Sequence, residues 1–378
     1  MGKLIISLIS DQTIPNIIFL KDHNNYDKLL FISTAKMKKS NKVEAIANTL
    51  DINESKYDVI EVDENSLSDI PDQLDKFFDE NTFDSITLNM TGGTKIMSLA
   101  AYNYIRTKYP DAKIVYIPIP KNEFIDLQEN KTIQITQRLN VKEYLSSYFL
   151  KIKTKQNKLD EIQNKAIERQ DVTLNIFNNY NTFKVSLINI CDGLRDHRTD
   201  KKYDITDQSL LNSVQNVYSI QNNTLSKDEI KYLTGGWLEE YVFILLTKLK
   251  EEITEPLDVI LSCNISRFDQ DQPENDIDLI FTFRNAIYHI ECKSLDFNSA
   301  ELINSTIYKS SALQKDFGLR VKTILVSTDE KIYAQKYQDR SRLLNVNLLG
   351  PNELDRDAFK NKIKELLNIK ECVNVQTS

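Results

Sequence analysis

The chain has 378 residues, of which 41 % are hydrophobic, enough for two or three domains with apolar cores. Its 48 Lys and Arg against 55 Asp and Glu give a formal net charge of −7. This balance excludes nucleic-acid binding through overall positive charge and leaves only local basic patches. The four cysteines lie far apart without a CxxC pair, and no window approaches the ~20 apolar residues of a membrane span. We therefore expect no disulfide framework, no zinc site and no membrane partner, and a cytoplasmic protein.

Residues 1–145 alternate between β-rich runs and helix-compatible stretches. The predicted strands are KLIISLIS, KLLFIST, YDVIEV, SITLNM and KIVYIPIP. Helical spacing lies between them in KVEAIANTL, IPDQLDKFF and KIMSLAAYNYIRTKY. This order predicts a Rossmann-like α/β domain with a parallel sheet, closed by a hairpin of FIDLQ and TIQITQ.

The remaining chain divides into a polar segment and a second compact domain. Residues 146–230 are rich in Lys, Asn and Gln with recurring Ile, Leu and Phe, which predicts helical connecting structure. Residues 231–378 begin with the apolar helix WLEEYVFILLTKL. Strands DVILSCNIS, DIDLIFTFR, AIYHIECKS and VKTILVS follow, with a helix between the last two. This pattern predicts a C-terminal α/β domain.

Glycine is scarce, with 8 residues where average usage is roughly 7 %, yet two doublets occur. Gly92 and Gly93 lie between a strand and a helix in NMTGGTKIM, a geometry that offers backbone N–H groups and a helix dipole to an anion. The motif is neither a phosphate-binding P-loop nor GxGxxG, and tight strand-to-helix packing alone also explains it. The second doublet, Gly235 and Gly236, precedes the apolar helix and predicts a sharp turn into it.

Polar side chains also follow the first two strands, in SDQTIPN and STAKMKK. In a parallel sheet ligands bind at the carboxyl ends of the strands, and this convergence favours a nucleotide-like ligand over packing alone. These segments and NMTGGTKIM resemble the CRISPR-associated Rossmann-fold (CARF) domains, over roughly residues 1–140. The resemblance implies a homodimer that binds a cyclic oligoadenylate across its two-fold axis. The ring-binding residues it implies are Ser10, Gln12, Thr13, Ser33, Met37, Asn89, Thr91, Gly92, Gly93, Thr94, Lys95 and Met97.

The second domain carries acidic residues in a fixed order. Glu239 and Glu240 lie on the apolar helix, and Asp278 on a strand precedes an ExK motif, Glu291 and Lys293, on the next strand. Residues two apart on a strand share a face, and a carboxylate without a partner on a buried strand is unfavourable. Surface charges on amphipathic strands are the alternative explanation.

Clustered carboxylates suit a divalent metal that activates water for phosphodiester hydrolysis. Asp278, Glu291 and the Cys292 carbonyl would supply hard oxygen ligands to Mg²⁺ or Mn²⁺. Lys293 would position water or stabilise the transition state, and one of Glu239 and Glu240 would complete the shell. The sequence leaves open which of the two does so.

GGWLEEY, NDIDLIF and IECKS resemble the PD-(D/E)xK nucleases, with Ile277 where that motif has proline. Together the two halves resemble the CARF-fused ancillary nucleases of type III CRISPR systems. This resemblance implies a homodimeric endonuclease that a cyclic oligoadenylate, by family the tetramer, activates to cut single-stranded DNA or RNA or to nick duplex DNA.

A local basic surface is predicted between residues 300 and 342, where eight Lys or Arg stand against five acidic residues. Most of these charges are typical of a solvated helix face. Lys309 and Gln314 are singled out as possible phosphate contacts.

Two other functions fit the same residues. One is a nucleotide-responsive nucleic-acid-binding regulator that retains the fold without catalysis, and the complete Asp278, Glu291 and Lys293 set argues against it. The other is a nuclease that no small ligand controls. DNA or RNA preference, and degradation of the activator by the sensor domain, stay open at this point.

Overall fold

A computed structural model describes residues 2–119, 121–269, 275–294, 304–308, 311, 317–318 and 321–369. The strands form a seven-stranded sheet, a six-stranded sheet and a small two-stranded sheet. Among the described residues, no helix combines the length and the apolar character that crossing a bilayer requires.

The seven-stranded sheet belongs to the N-terminal part of the chain. Its strands are β1 (Lys3–Leu8), β2 (Lys28–Ser33), β3 (Tyr57–Glu61), β4 (Ser85–Asn89), β5 (Lys113–Tyr116), β6 (Glu123–Asp126) and β7 (Lys131–Gln134). The order is β3-β2-β1-β4-β5-β6-β7, with β1 to β5 parallel and β6 and β7 antiparallel. In β1 and β2 every residue after the first is buried, as expected for central parallel strands. The predicted Rossmann-like sheet and closing hairpin are confirmed.

Helices cover both faces of this sheet. They are α1 (Ile14–Asp22), α2 (Ala35–Lys39), α3 (Lys42–Leu50), α4 (Asp69–Glu80), α5 (Lys95–Lys108) and α6 (Val141–Ser146). Helix α1 is not predicted from the sequence, because its residues 14–20 are all buried and show no amphipathic alternation. It begins immediately after the loop of residues 10–13.

Helices of the middle segment pack onto the second sheet. They are α7 (Gln156–Glu168), α8 (Gln170–Asn178), α9 (Tyr180–Leu194), α10 (Gln208–Val217) and α11 (Lys227–Lys231). Strands β9 (Lys202–Asp204) and β10 (Thr224–Ser226) form a small antiparallel pair among them. Ile176, Leu187 and Val214 lie in one hydrophobic core with residues of the second sheet.

The six-stranded sheet has the order β15-β14-β13-β12-β11-β8. Its strands are β8 (Leu150–Ile152), β11 (Leu257–Arg267), β12 (Asn275–Phe283), β13 (Ala286–Lys293), β14 (Val321–Ser327) and β15 (Val346–Leu349). The helices beside it are α12 (Trp237–Glu252), α13 (Gln335–Leu343) and α14 (Arg356–Leu366). Of the helix predicted between the last two predicted strands, residues 304–308 are helical and most of the rest lies outside the described residues. The predicted C-terminal α/β domain is confirmed.

A second hydrophobic core lies between the two large sheets. It joins Phe19 and Ile46 of the N-terminal domain to Tyr144, Ile265 and Phe317. The N-terminal and C-terminal halves therefore share buried apolar contacts.

Candidate functional site

The pairing of β12 with β13 brings two carboxylates to one place. Leu279 pairs with Ile290 in an antiparallel register, so Asp278 and Glu291 are the next residues at the same end of the pair. Residues opposite each other in an antiparallel pair lie on one face of the sheet. The Asp278 and Glu291 side chains therefore meet, as the sequence predicts.

Hydrogen bonds hold these carboxylates in position. The Lys293 ammonium donates to Glu291 Oε1 at 2.6 Å, and the Cys292 backbone N–H donates to Asp278 Oδ2 at 2.8 Å. Glu291 is only 5 % exposed. His289 lies on the same face, with its Nε2 3.9 Å from Glu291 Oε2.

A kink before α12 determines which helix carboxylate reaches the site. Residues Tyr232–Gly236 form one π-helical turn, with Gly235 at a φ of 142°. Such a φ favours glycine, and a Cβ atom at Gly235 would lie 3.2 Å from Ser294 Oγ, directly after the ExK strand. The second glycine doublet therefore has the structural task predicted for it, and it lies next to the end of the ExK strand, β13.

The two glutamates of α12 face different partners. Glu240 is buried and accepts both a 2.7 Å hydrogen bond from Arg169 Nε and a second bond from Arg169 Nη2. Glu239 instead interacts electrostatically with Lys293 and Glu291. The helix carboxylate that faces Asp278 and Glu291 is thus Glu239, and Glu240 is engaged by the fold.

Asp278 and Glu239 both have raised pKa values. Burial raises the pKa of Asp278 above its ordinary range, and the neighbouring Glu239 and Glu291 raise it further. Burial also raises the pKa of Glu239, although Lys231 and Lys293 oppose the shift. Burial alone would lower the pKa of Lys293, but Glu291 and Asp278 outweigh it and hold that pKa above its usual value. Perturbed groups of this kind are typical of functional sites.

The fit of a divalent metal depends on these oxygens. Among the described residues, no three His, Cys, Asp or Glu side chains stand close enough together to hold a metal ion as they are arranged. Glu291 is engaged by the Lys293 ammonium, which supplies the positive charge at this point. The candidate ligand atoms are nevertheless all hard oxygens, which suit Mg²⁺ or Mn²⁺. The negative charges of the carboxylates repel one another, and a bound cation would relieve that repulsion. The chemistry of these residues therefore suits a divalent metal, although their described positions do not form a metal site.

The second candidate site is the edge of the N-terminal sheet where β1, β2 and β4 end side by side. The predicted ring-binding residues lie at the ends of β2 and β4, in the loops after β1 and β4, and in the helices α2 and α5. Ser10, Gln12 and Gly93 are half-buried, whereas Thr94 and Lys95 are exposed. These five positions are accessible at the sheet edge.

The other predicted ring-binding residues are mostly built into the fold. Asn89 Nδ2 donates to Ser7 Oγ at 3.3 Å, and Asn89 Oδ1 accepts from Thr91 Oγ1 at 2.7 Å. Ser33 is fully buried. Of the accessible residues, Thr94 also bonds within the fold, donating from Oγ1 to the Glu64 carbonyl at 2.9 Å. Met37 and Met97 are buried apolar residues of two different cores.

The first glycine doublet has a packing requirement of its own. A Cβ atom at Gly92 would lie 2.0 Å from the Leu8 carbonyl oxygen, and Gly93 has a φ of 74°. Gly92 is thus needed where the turn crosses the end of β1, and Gly93 where the backbone is left-handed. Packing alone explains why both positions are glycine. If the doublet also takes part in ligand binding, it does so through its backbone atoms.

The loop after β1 also contacts the start of the second half of the chain. Thr13 Oγ1 donates to the Ser147 carbonyl, and the Tyr148 hydroxyl donates to Gln12 Oε1 at 2.9 Å. A Cβ atom at Gly318 would lie 2.1 Å from the Tyr148 hydroxyl. Tyr148 therefore lies between the predicted ligand loop and the segment that leads into β14.

A cleft of about 670 Å³ opens beside Glu239, a feature that the sequence analysis does not anticipate. Its lining includes Arg169 and Arg198, from the segment interpreted as connecting helices, and Lys231, the first residue of the predicted second domain. No motif marks these residues, because they come together only through tertiary packing. The predicted contacts Lys309 and Gln314 lie outside the described residues.

Both halves of the chain match models of known protein families. Residues 4–144 match the model of the Card1 CARF domain, and residues 226–369 match that of the Card1-like endonuclease domain. The two matches together cover most of the chain. The chain therefore belongs to the proteins that join a CARF domain to a Card1-like endonuclease domain, which confirms the resemblance drawn from the sequence. No curated protein matches it.

Solved structures share the architecture over almost the full length. Can2 of Sulfobacillus thermosulfidooxidans, solved with cyclic tetra-adenylate, has a TM-score of 0.72 at 19 % identity, over 97 % of this chain and 99 % of its own. A Vibrio cholerae protein has a TM-score of 0.75 at 18 % identity, over 97 % and 98 %. A type III CRISPR defence DNA nuclease activated by cyclic oligoadenylate has a TM-score of 0.51 at 12 % identity, over 86 % of this chain and 45 % of its own. At these identities the likeness concerns the fold.

Proposed function

We propose that this protein is a metal-dependent endonuclease of type III CRISPR defence that a cyclic oligoadenylate, the tetramer, switches on. The observation that carries the proposal is the meeting of Asp278, Glu291, Lys293 and Glu239 in a chain that also has a CARF domain. The neighbour solved with cyclic tetra-adenylate supports the choice of ring.

The nuclease domain would act through its carboxylates and its lysine. A bound Mg²⁺ or Mn²⁺ would supply Lewis-acid chemistry, held by Asp278, Glu291 and the Cys292 carbonyl, with Glu239 completing the shell. Lys293, released from Glu291, would donate to the attacking water or to the phosphate oxygens as negative charge develops. In the arrangement described, Glu291 and Asp278 raise the pKa of Lys293 and so favour its protonated form.

The CARF domain would receive the ring at the ends of β1, β2 and β4. Ser10, Gln12, Thr94 and Lys95 present polar groups there, with the backbone of Gly93 between them. A homodimer would complete the site across its two-fold axis. Activation requires that the ring bind more tightly to the cleaving arrangement than to the resting one.

One assay tests the proposal against both alternatives. The purified protein is incubated with single-stranded DNA, single-stranded RNA and plasmid, with Mg²⁺, Mn²⁺ or EDTA, and with or without cyclic tetraadenylate. We expect cutting only with both metal and ring. Binding without cutting under every condition would favour the non-catalytic regulator, and equal cutting without the ring would favour a nuclease that no ligand controls.

Variants separate the two activities. Asp278→Ala, Glu291→Ala and Lys293→Ala should each abolish cutting while leaving ring binding, measured by calorimetry, unchanged. The molar mass of the protein by light scattering, with and without the ring, tests the homodimer, and a monomer with ring bound would contradict it.

A further inference from the structure

The turn that joins β12 to β13 is buried, unlike an ordinary hairpin tip. Arg284 and Asn285 form this two-residue turn with φ values of 48° and 59°, both positive as a tight hairpin requires. The Asn285 side chain is fully buried, whereas connecting segments normally run over the protein surface. Another part of the chain therefore covers this turn.

Hydrogen bonds fix the turn to the CARF domain. Asn285 Oδ1 accepts from the Leu139 backbone N–H at 2.8 Å, and its Nδ2 donates to Asn122 Oδ1 and to the Gln137 carbonyl, both at 3.1 Å. Asn122 Nδ2 in turn donates to the Arg284 carbonyl at 2.9 Å. A tight turn selects asparagine or glycine for its φ values alone, so turn formation does not account for these four bonds. They form a junction between the hairpin and the segments that flank β6 and β7.

The same hairpin carries two candidate catalytic carboxylates at its other end. β12 and β13 pair without a gap from the turn to the residues next to Asp278 and Glu291. Asp278 lies about 20 Å from Arg284 along the strand, at about 3.3 Å per residue. Between these ends, Ile280 lies in one hydrophobic core with Ile117 of the CARF domain. A displacement of the turn is therefore carried along a paired, packed element to both carboxylates.

The CARF side of the junction is connected to the predicted ring site. The Ile117 backbone N–H donates to Thr91 Oγ1 at 2.9 Å, and Thr91 is one of the predicted ring-binding residues. Ile117 begins the loop after β5, and Asn122 ends it, directly before β6. A ligand that moves the turn after β4 therefore acts on the loop that holds the hairpin.

We propose that Asn285 is a positioning residue of the nuclease, which together with Asn122 transmits ring binding to the strand pair that carries Asp278 and Glu291. The inference rests on the proposed function and names how the ring regulates the nuclease site. Ring binding favours one arrangement of the CARF domain over another, and the junction obliges the catalytic hairpin to follow it.

The test removes the junction and keeps the turn. Asn285→Gly deletes three side-chain bonds, and glycine adopts the required positive φ readily. Asn130→Gly is the matched control, because Asn130 is an exposed asparagine with a φ of 51° in the turn between β6 and β7. Asn122→Ala breaks the junction from the CARF side, and a double variant combines it with Asn285→Gly.

Three quantities are measured for each full-length protein: ring affinity by calorimetry, Tm, and the ratio of cutting rates with saturating ring and without it. We expect Asn285→Gly and Asn122→Ala each to lower this ratio roughly 5- to 100-fold, the range of typical coupling between sites, while the ring still binds. The double variant should lose no more than the larger single loss, because both changes break one junction. Asn130→Gly should keep the wild-type ratio. A purely structural role would lower Tm and leave the ratio unchanged.

A wild-type ratio in folded Asn285→Gly would overturn the inference even though the wild-type protein cuts with ring, and so would a loss of ring binding itself. If Asn285→Gly does not fold, Asn122→Ala decides by the same criteria. Equal wild-type cutting with and without ring would overturn both the inference and the ligand control.

If the wild-type protein cuts nothing, the proposed function fails and hydrogen exchange of β12 and β13 decides the coupling. A ring-dependent change in exchange that Asn285→Gly abolishes would support it. No change, or a change that the variant retains, would overturn it.

Discussion

Glu239 and Glu240 are consecutive residues of α12, and helix geometry separates their directions by about 100°. Glu240 points to Arg169 and Glu239 to the carboxylate cluster. The bond to Arg169 engages Glu240, so under the proposed function Glu239 is the helix carboxylate that would serve a metal.

Glu239→Gln should reduce the ring-dependent cutting rate by roughly 10- to 100-fold, the scale seen when a metal's ligand environment is disturbed, while Tm stays close to that of wild type. Glu240→Gln is the matched control. It should lower the free energy of unfolding by about 1–3 kcal/mol, because Arg169 loses a charged partner, and retain most of the cutting rate per folded molecule. The opposite ranking in a cleavage assay would assign the role to Glu240.

Asp278 makes stability depend on pH. Its pKa is raised in the folded protein, so the folded state binds more protons than the unfolded state between the two pKa values. Stability from this group is present below the unfolded pKa of about 3.9 and is lost as pH rises toward the folded pKa.

Asp278→Asn should therefore raise Tm in EDTA at pH 8 by roughly 2–4 °C, the effect of about 1 kcal/mol in a domain of this size, and have little effect at pH 4. Asn can still accept the Cys292 N–H. Thermal unfolding at both pH values, repeated with Mn²⁺, measures this. An equal rise in Tm at both pH values would show that the negative charge of buried Asp278 is not the cause of the stabilisation.

At the scale of elements, the turn between β4 and α5 is limited by contact with β1. Gly92→Ala places a Cβ atom against the Leu8 carbonyl, a backbone atom that cannot turn aside. We expect a loss of about 1–3 kcal/mol of unfolding free energy, measured by denaturant titration, together with weaker ring binding.

The same substitution at Gly193 is the control. Its Cβ would meet only the flexible end of Leu210, so Gly193→Ala should not reduce stability comparably. A Gly92→Ala protein as stable as wild type would restore the interpretation of this doublet as a ligand-approach site alone.

Tyr148 lies in the three-residue connection between α6 and β8, and it is hydrogen bonded to Gln12. Tyr148→Phe removes this bond of about 0.5–1.5 kcal/mol and retains the ring. The ratio of cutting rates with and without cyclic tetraadenylate should therefore fall roughly 2- to 10-fold. Tyr144→Phe, which loses a bond to the Phe317 carbonyl instead, is the control, and equal effects of both variants would indicate general destabilisation.

The middle segment, residues 146–230, and the endonuclease domain share one hydrophobic core. The Phe177 ring stacks on Tyr241 at 4.0 Å, Thr173 and Tyr232 hydroxyls lie 2.9 Å apart, and β8 pairs with β11. Residues 146–230 thus cover α12 and extend the sheet.

A fragment of residues 231–378 should therefore show no cooperative thermal transition by circular dichroism, because it exposes the apolar face of α12. A fragment of residues 146–378 should unfold cooperatively. A stable, cooperative 231–378 fragment would show that the segment is a separate connecting unit.

Strands β1 to β7 of the first domain and β11 to β14 of the second could be predicted from the sequence, because apolar periodicity is a local property that burial imposes on each element. The same holds for Asp278, Glu291 and Lys293, since two adjacent strands and a period of two place them together. Strand β8 and helix α1 could not be predicted, because β8 is only three residues long and α1 is buried on all sides.

By itself the sequence determined the two domain classes, the glycine turns and the carboxylates of the ExK strand pair. Only the tertiary structure decided that Glu239 faces this site while Glu240 binds Arg169, that packing requires Gly92, and that Arg198 and Lys231 meet in one cleft. These outcomes depend on contacts between residues distant in the chain. No local pattern encodes such contacts, because the direction of a side chain is set by whatever packs around its element.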